Sequence, residues 1–197
     1  MQYFSQAKLM GSQKLTPVYH RKEKDLMKGY VQVYTGDGKG KTTAAFGLAI
    51  RAAGSGLKVW IGQIMKKGEY SEIHSMQRFA DLITVEQFGT GKFVMGKPSG
   101  EDIEAAATAL SRAEHIMSSG KADVLILDEA NVALACGLFP VGRLLALIRQ
   151  KPEGMELVLT GRGAAPEIIE AADLVTEMKC IKHYHEKGVM ARTGIEK

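Results

Sequence analysis

From residue 30 onward, short apolar runs rich in valine and isoleucine alternate with stretches whose apolar residues recur every three to four positions. Tyr30–Tyr34 (YVQVY), Lys58–Met65, Ile83–Phe88, Val124–Leu127, Leu157–Leu159 and Leu174–Met178 read as strands. Lys41–Ala53 reads as a helix with Ala45, Leu48, Ala49 and Ala52 on one face, stopped by Gly54-Ser55-Gly56. Ser99 can cap a helix from about Glu101 to Ser118, Pro140–Gln150 is helical, and Lys151-Pro152-Glu153-Gly154 is a turn. Pro166 suits the first turn of another helix.

Strands alternating with helices require right-handed crossovers, so the pattern predicts an α/β fold with a mainly parallel sheet covered by helices on both faces. The unbroken apolar run Val124–Leu127 agrees, because a strand of such a sheet is buried on both sides. Ligands of open parallel sheets lie beyond the carboxyl ends of the strands. The glycine-rich run after the first strand and Asp128-Glu129 after the fourth both fall there.

Composition adds bounds. The chain has 197 residues, enough for one domain with a sizeable core. Hydrophobic residues are 45% and charged residues 24%, as in ordinary globular proteins. No apolar run is long enough to span a bilayer, and the N-terminus lacks the continuous apolar segment of a secretory signal. Cys136 and Cys180 stand far apart, which suits two reduced thiols in a cytoplasmic protein. The net charge is +4, and residues 1–28 carry all of it, through Lys8, Lys14, Arg21, Lys22, Lys24 and Lys28 against Glu23 and Asp25. The balanced remainder, 29–197, gives no support to a basic nucleic-acid face. The expected organisation is therefore a basic arm, 1–28, and a domain, 29–197. The arm is either a solvated tail or a segment that folds over a site holding an anionic ligand.

The candidate chemistry begins with Thr35-Gly36-Asp37-Gly38-Lys39-Gly40-Lys41-Thr42-Thr43. Closely spaced glycines let backbone N–H groups surround phosphate oxygens, and the following helix presents its positive end to the same anion. Lys41 can reach terminal phosphates, and Thr42 can offer its hydroxyl to Mg²⁺. The general P-loop pattern has a glycine where this chain has Thr35, so the loop is a variant. It points to a nucleoside triphosphate, ATP above all. Asp128 and Glu129, at the end of a buried strand, supply carboxylates that can hold the metal directly or through water. Arg51, Arg162, Lys66 and Lys67 are further candidates for the site. His183 and His185 share one face of an extended segment but lack the further ligands a metal site needs. The connection from Phe88 to Pro98 is either a surface loop or a binding loop that offers Phe93 and Met95 to an apolar ligand.

The run Gly36–Gly47 (GDGKGKTTAAFG) closely resembles the P-loop of the ATP:corrinoid adenosyltransferases of the CobA/BtuR/CobO type. Leu127-Asp128-Glu129, Leu159–Gly163 (LTGRG), Ala172-Asp173, and the ending Lys182-His183, Gly188 and Gly194-Ile195 agree in order and spacing, so the resemblance covers roughly residues 30–196. Thr35 is itself part of that family's pattern. The resemblance implies a RecA-like P-loop fold, a homodimer, and transfer of the 5′-deoxyadenosyl group of ATP to the Co(I) centre of a corrinoid, with inorganic triphosphate released. It implies Mg²⁺ (or Mn²⁺), and cobalamin or cobyrinic acid a,c-diamide as the corrinoid. It also implies a reductase such as a flavoprotein as electron donor. Lys41 would contact phosphate, Thr42 and Glu129 would hold the metal, and the arm of one subunit would cover the corrinoid site of the other. Several relatives carry Thr-Gly-Phe-Thr-Trp after the third strand, where the aromatics press on the corrin. Here the run is Thr90-Gly91-Lys92-Phe93-Val94, which keeps one aromatic, displaced by one place, and has Val94 at the tryptophan position; by resemblance Phe93 would be the aromatic corrin contact. Two alternatives stand beside this reading. One is a RecA-like ATPase in which Glu129 orients water, and the other is a non-catalytic nucleotide-binding module.

Overall fold

A computed structural model describes residues 28–91, 94 and 96–196. The basic arm up to residue 27, together with Phe93 and Met95, lies outside the described residues. Six strands form one sheet: β1 (Val31–Thr35), β2 (Val59–Ile64), β3 (Ile83–Phe88), β4 (Val124–Asp128), β5 (Glu156–Thr160) and β6 (Leu174–Glu177). Their order is β3-β2-β4-β5-β1-β6, and every pairing is parallel. The helices are α1 (Lys41–Gly54), α2 (Ser71–Met76), α3 (Gly100–Ser119), α4 (Ala130–Ala135), α5 (Val141–Gln150) and α6 (Pro166–Ala171).

The two-residue period of the strands divides the core into two layers. Leu125, Leu127, Leu157 and Leu159 point to one face, where they meet Ala109, Leu110 and Ala113 of α3 and Leu144 and Leu147 of α5. Val124, Ile126 and Val158 point to the other, against Ala45, Phe46, Ala49 and Ala52 of α1. The small alanine face of α1 lets that helix lie close to the sheet. Helices therefore cover both faces, as the strand pattern predicts.

Ser99 caps α3 as expected. It receives the Asp102 N–H at 3.2 Å, and the Asp102 carboxylate receives the Ser99 N–H at 3.1 Å, a reciprocal capping box. Two helices do not appear in the sequence pattern. α2 and α4 have six residues each and no side-chain cap, so they present neither a full period nor a start signal. The strand predicted over Lys58–Met65 is shorter, because Met65 turns into the left-handed region at φ 64°. Leu174–Met178 also contracts, to an exposed edge strand.

The topology positions the chemistry. β5 lies between β1 and β4, so the carboxyl ends of β1, β5 and β4 stand in a row. Those ends carry Thr35, Thr160 and Asp128.

Candidate functional site

The chain leaves β1 at Thr35, and α1 starts at Lys41 behind Gly40, whose φ is 119°. Gly36 has φ 91°, and a Cβ there would lie 2.5 Å from the Met178 carbonyl oxygen. The chain beyond β6 braces the loop from that side. The Gly38 N–H donates to the Met178 carbonyl at 2.6 Å, and the Met178 N–H donates to the Thr35 carbonyl at 2.8 Å. Thr35 is buried, and its hydroxyl oxygen accepts the Ala164 N–H at 3.2 Å. The threonine that departs from the general glycine pattern therefore ties the loop to the turn after β5.

Lys41 is also buried. Its Nζ donates to the carbonyl oxygens of Gly36 at 2.6 Å and Gly38 at 2.7 Å, so the ammonium lies inside the curl of the loop. Burial, followed by the Arg162 charge, pushes its pKa below the ordinary lysine value.

Asp128 is fully buried, and each of its oxygens has two partners. Oδ1 accepts from the Thr42 hydroxyl at 2.8 Å and from the Thr160 hydroxyl at 2.7 Å. Oδ2 accepts from the Lys66 ammonium at 2.7 Å and the Gln63 amide at 3.1 Å. Burial opposes the charge, but Lys66 and the hydrogen bonds from Lys66, Thr160 and Gln63 outweigh it and hold the carboxyl below its ordinary range. Gln63 is itself oriented by the Gln87 amide at 3.0 Å.

Glu129 caps α4 in the left-handed region, at φ 65°. For a residue with a side chain that conformation costs about 1–3 kcal/mol, and such strain clusters at functional sites. The Thr160 hydroxyl accepts the Glu129 N–H at 3.0 Å, and this bond helps hold the turn. Burial and then the Asp128 charge push the Glu129 pKa up, against the pull of Lys66, Lys41 and Arg162.

The structure thus brings together Thr35, Lys41, Thr42, Asp128 and Glu129, with the charge of Arg162 felt at both Lys41 and Glu129. Asp37 and Thr43 are exposed on the loop and on the first turn of α1. Lys39 turns away. Its Nζ donates to the Tyr184 hydroxyl at 3.3 Å and the Ile195 carbonyl at 2.9 Å, and pairs with Glu196 at 3.1 Å. Arg51 stands in the last turn of α1, about 15 Å along the helix axis from Lys41. It is outside the cluster. Phe93 lies outside the described residues. Lys66 joins the cluster, whereas Lys67 is exposed.

Sequence reasoning missed Gln63 and Thr160 as individual members. Each is a polar residue at the carboxyl end of an otherwise apolar strand and is fully buried. A buried polar side chain at that end of a parallel sheet is the signal that could have found them. The oxygens of Thr42, Asp128 and Glu129 are the donor type that a hard cation takes, and they already face one positive charge. The Lys66 ammonium lies 2.7 Å from Asp128, 3.2 Å from Thr42 and 3.9 Å from Glu129.

The comparisons with known proteins agree with this geometry. The family described as ATP:corrinoid adenosyltransferase BtuR/CobO/CobP matches residues 27–196. A corrinoid adenosyltransferase of Pseudomonas aeruginosa is 36% identical over 86% of this chain and 84% of its own length. The Escherichia coli K12 corrinoid adenosyltransferase is 32% identical over 86% of each chain. In fold, the chain resembles a KaiC-like protein of Pyrococcus horikoshii, with a TM-score of 0.55 at 19% identity, covering 86% of this chain and 76% of that one. That likeness places the α/β sheet among RecA-like P-loop folds. A P-loop built on Lys41 and Thr42, an acidic strand end at Asp128-Glu129 and a family match over nearly the whole chain converge: the protein belongs to the ATP:corrinoid adenosyltransferases, a family of transferases.

Proposed function

We propose that this protein transfers the 5′-deoxyadenosyl group of ATP to the Co(I) centre of a corrinoid and releases inorganic triphosphate, in adenosylcobalamin biosynthesis or salvage. The family match carries the proposal, and the cluster of Lys41, Thr42, Asp128 and Glu129 supports it. The corrinoid is a substrate and supplies the electrons. Its cobalt attacks C5′ of the ribose, a cobalt–carbon bond forms, and the C5′–O bond breaks with its electron pair going to triphosphate. The reaction asks for neither a protein nucleophile nor a general base. It asks for a cradle that stabilises a polyanion as it leaves.

Loop N–H groups, the positive end of α1 and Lys41 form that cradle. Binding requires Lys41 to exchange its two carbonyl partners for phosphate oxygens. Thr42 and Glu129 would hold Mg²⁺ (or Mn²⁺), which neutralises triphosphate charge when bound. Asp128 would act behind them. By accepting the Thr42 hydrogen at 2.8 Å it leaves the Thr42 oxygen's lone pairs free to face a cation. Arg162 adds positive charge at the rim. Asp37, Lys39 and Thr43 would complete the nucleotide contacts through the backbone of the loop and the first turn of α1; the Lys39 ammonium is turned to Glu196 and Arg51 stands at the far end of α1, so neither side chain joins them.

In the same reading, residues 1–28 form an arm over the corrinoid site of a partner subunit in a homodimer, residues 29–197 form the transferase domain, and Phe93 meets the corrin. The corrinoid is cobalamin or cobyrinic acid a,c-diamide, a flavoprotein-type reductase delivers the electron, and the enzyme works in the cytoplasm. Among the described residues no helix is long and apolar enough to cross a membrane.

The test is incubation of the full chain with ATP, Mg²⁺ and chemically reduced corrinoid while the absorbance of adenosyl-corrinoid is followed. A spectral change that requires both ATP and protein is expected. Corrinoid-independent turnover of ATP with no such change would contradict the proposal.

A further inference from the structure

Lys66 stands just past the carboxyl end of β2. The left-handed Met65 before it ends the strand and turns the chain there. The Lys66 ammonium then lies among three oxygen-bearing side chains at once, 2.7 Å from Asp128 Oδ2, 3.2 Å from Thr42 Oγ1 and 3.9 Å from Glu129 Oε1. Thr42 and Glu129 are the oxygens assigned above to a divalent cation, and the present inference rests on that assignment. The remaining acceptor positions of Asp128 are filled by Thr160 and Gln63.

Two cations cannot share this space. A part-buried ammonium beside an incoming Mg²⁺ would meet strong like-charge repulsion, screened less than at an open surface. Nor does the acid pair stand without a counter-ion, since the fully buried Asp128 carboxylate, with the part-buried Glu129 beside it, carries a large desolvation cost when no cation faces it. The Lys66 side chain keeps 18% of its surface exposed, and the Tyr70 ring lies 6.0 Å from its Nζ. Residues 67–69, between them, are exposed, so the segment that carries the ammonium borders solvent.

We propose that Lys66 is the resident cation of this oxygen set: it balances Asp128 and Glu129 in the nucleotide-free enzyme, must withdraw before a divalent cation binds, and so sets the metal affinity of the site. It is a positioning residue for the metal. An ion pair of purely structural value would stabilise the fold without altering how tightly metal binds.

The experiment titrates Mn²⁺ alone into the full chain without nucleotide and follows the paramagnetic resonance signal of free Mn²⁺. Lys66→Gln is expected to bind Mn²⁺ at least about tenfold more tightly than the native chain, while the charge-keeping Lys66→Arg stays close to native. The Lys66→Gln melting temperature should fall without metal and recover with Mn²⁺. Equal Mn²⁺ affinity of native and Lys66→Gln protein overturns the proposal, as does tight binding by Lys66→Arg. If Lys66→Gln does not fold alone, it is refolded with and without Mn²⁺; rescue supports the proposal and failure of rescue contradicts it. The titration uses neither ATP nor corrinoid. Its failure is therefore distinguishable from a failure of adenosyl transfer.

Discussion

The Thr160 hydroxyl donates to Asp128 Oδ1 at 2.7 Å and accepts the Glu129 N–H at 3.0 Å, so one side chain on β5 fixes both acids at the end of β4. Thr160→Val keeps the shape but leaves a buried carboxylate oxygen and a strained N–H short of a partner. Each orphaned polar group of this kind costs about 1–3 kcal/mol. The expected result is a stability loss of that order in denaturant unfolding and a weakened metal-dependent nucleotide affinity. Thr160→Ser, which restores the hydroxyl, should recover most of both. Unchanged nucleotide affinity in Thr160→Val would show that this bridge does not shape the site.

Lys41 holds two loop carbonyls at 2.6 and 2.7 Å and is the cation best placed to meet a polyanion in the loop. Lys41→Ala should reduce adenosylation by about a hundredfold or more, the scale of removing one charged contact that strengthens as charge develops. Because the same change removes two hydrogen bonds from the empty loop, the melting temperature should fall slightly. Steady-state kinetics with varied ATP separates weaker binding from slower transfer. Native rates in Lys41→Ala would refute the assigned phosphate contact.

Gly36→Ala tests the brace from the chain after β6. The new Cβ would lie 2.5 Å from the Met178 carbonyl oxygen, at a φ of 91° that side chains rarely adopt. The loop and residues 177–179 must then separate. Loss of detectable ATP binding by calorimetry, with a lowered melting temperature and an intact far-ultraviolet spectrum, is the expected outcome. Gly47→Ala is the control, since a Cβ there meets nothing within 4 Å.

Away from the site, Glu86 accepts from the Trp60 indole at 2.8 Å and pairs with Arg112 at 2.9 Å. The Arg112 hydrogen bonds hold the Glu86 carboxyl below its ordinary range, against burial and together with Trp60. A depressed carboxylate pKa contributes stability that is present above the unfolded value, about 4.3, and is lost as the pH falls through the folded value. Glu86→Gln keeps an acceptor for the indole but removes the charge. It should therefore be less stable than the native chain at neutral pH, with the gap closing in acid below about pH 4. Unfolding followed through Trp60, the single tryptophan, measures this directly. A gap that persists undiminished in acid would rule out the ion pair as its source.

How much of this was legible in the sequence depends on what each feature requires. The loop at Thr35–Thr43 and the acids at Asp128-Glu129 announce themselves, because phosphate cradles need particular residue types at fixed spacing. The long periodic helices α1 and α3 and the apolar strands were legible for the same reason. The strand order was not, since parallel pairing leaves no local mark. Without knowing that β5 lies between β1 and β4, Thr160 reads as one more strand-end threonine. Lys66 enters the cluster only through the left-handed turn at Met65, which no glycine signals. Lys39 lies in the motif, but its ammonium is drawn to Glu196 by contacts far apart in sequence. Arg51 shares a helix with Lys41 yet stands at its far end, a matter of helix length that residue type does not reveal.

The central claim is that the loop holds triphosphate as a leaving group and that the bond broken is at C5′. Phosphorus resonance of a reaction containing the protein, ATP, Mg²⁺ and chemically reduced corrinoid tests it most directly. The account predicts inorganic triphosphate in one-to-one amount with adenosyl-corrinoid, and no ADP. ADP and orthophosphate, with no cobalt–carbon bond formed, would contradict it.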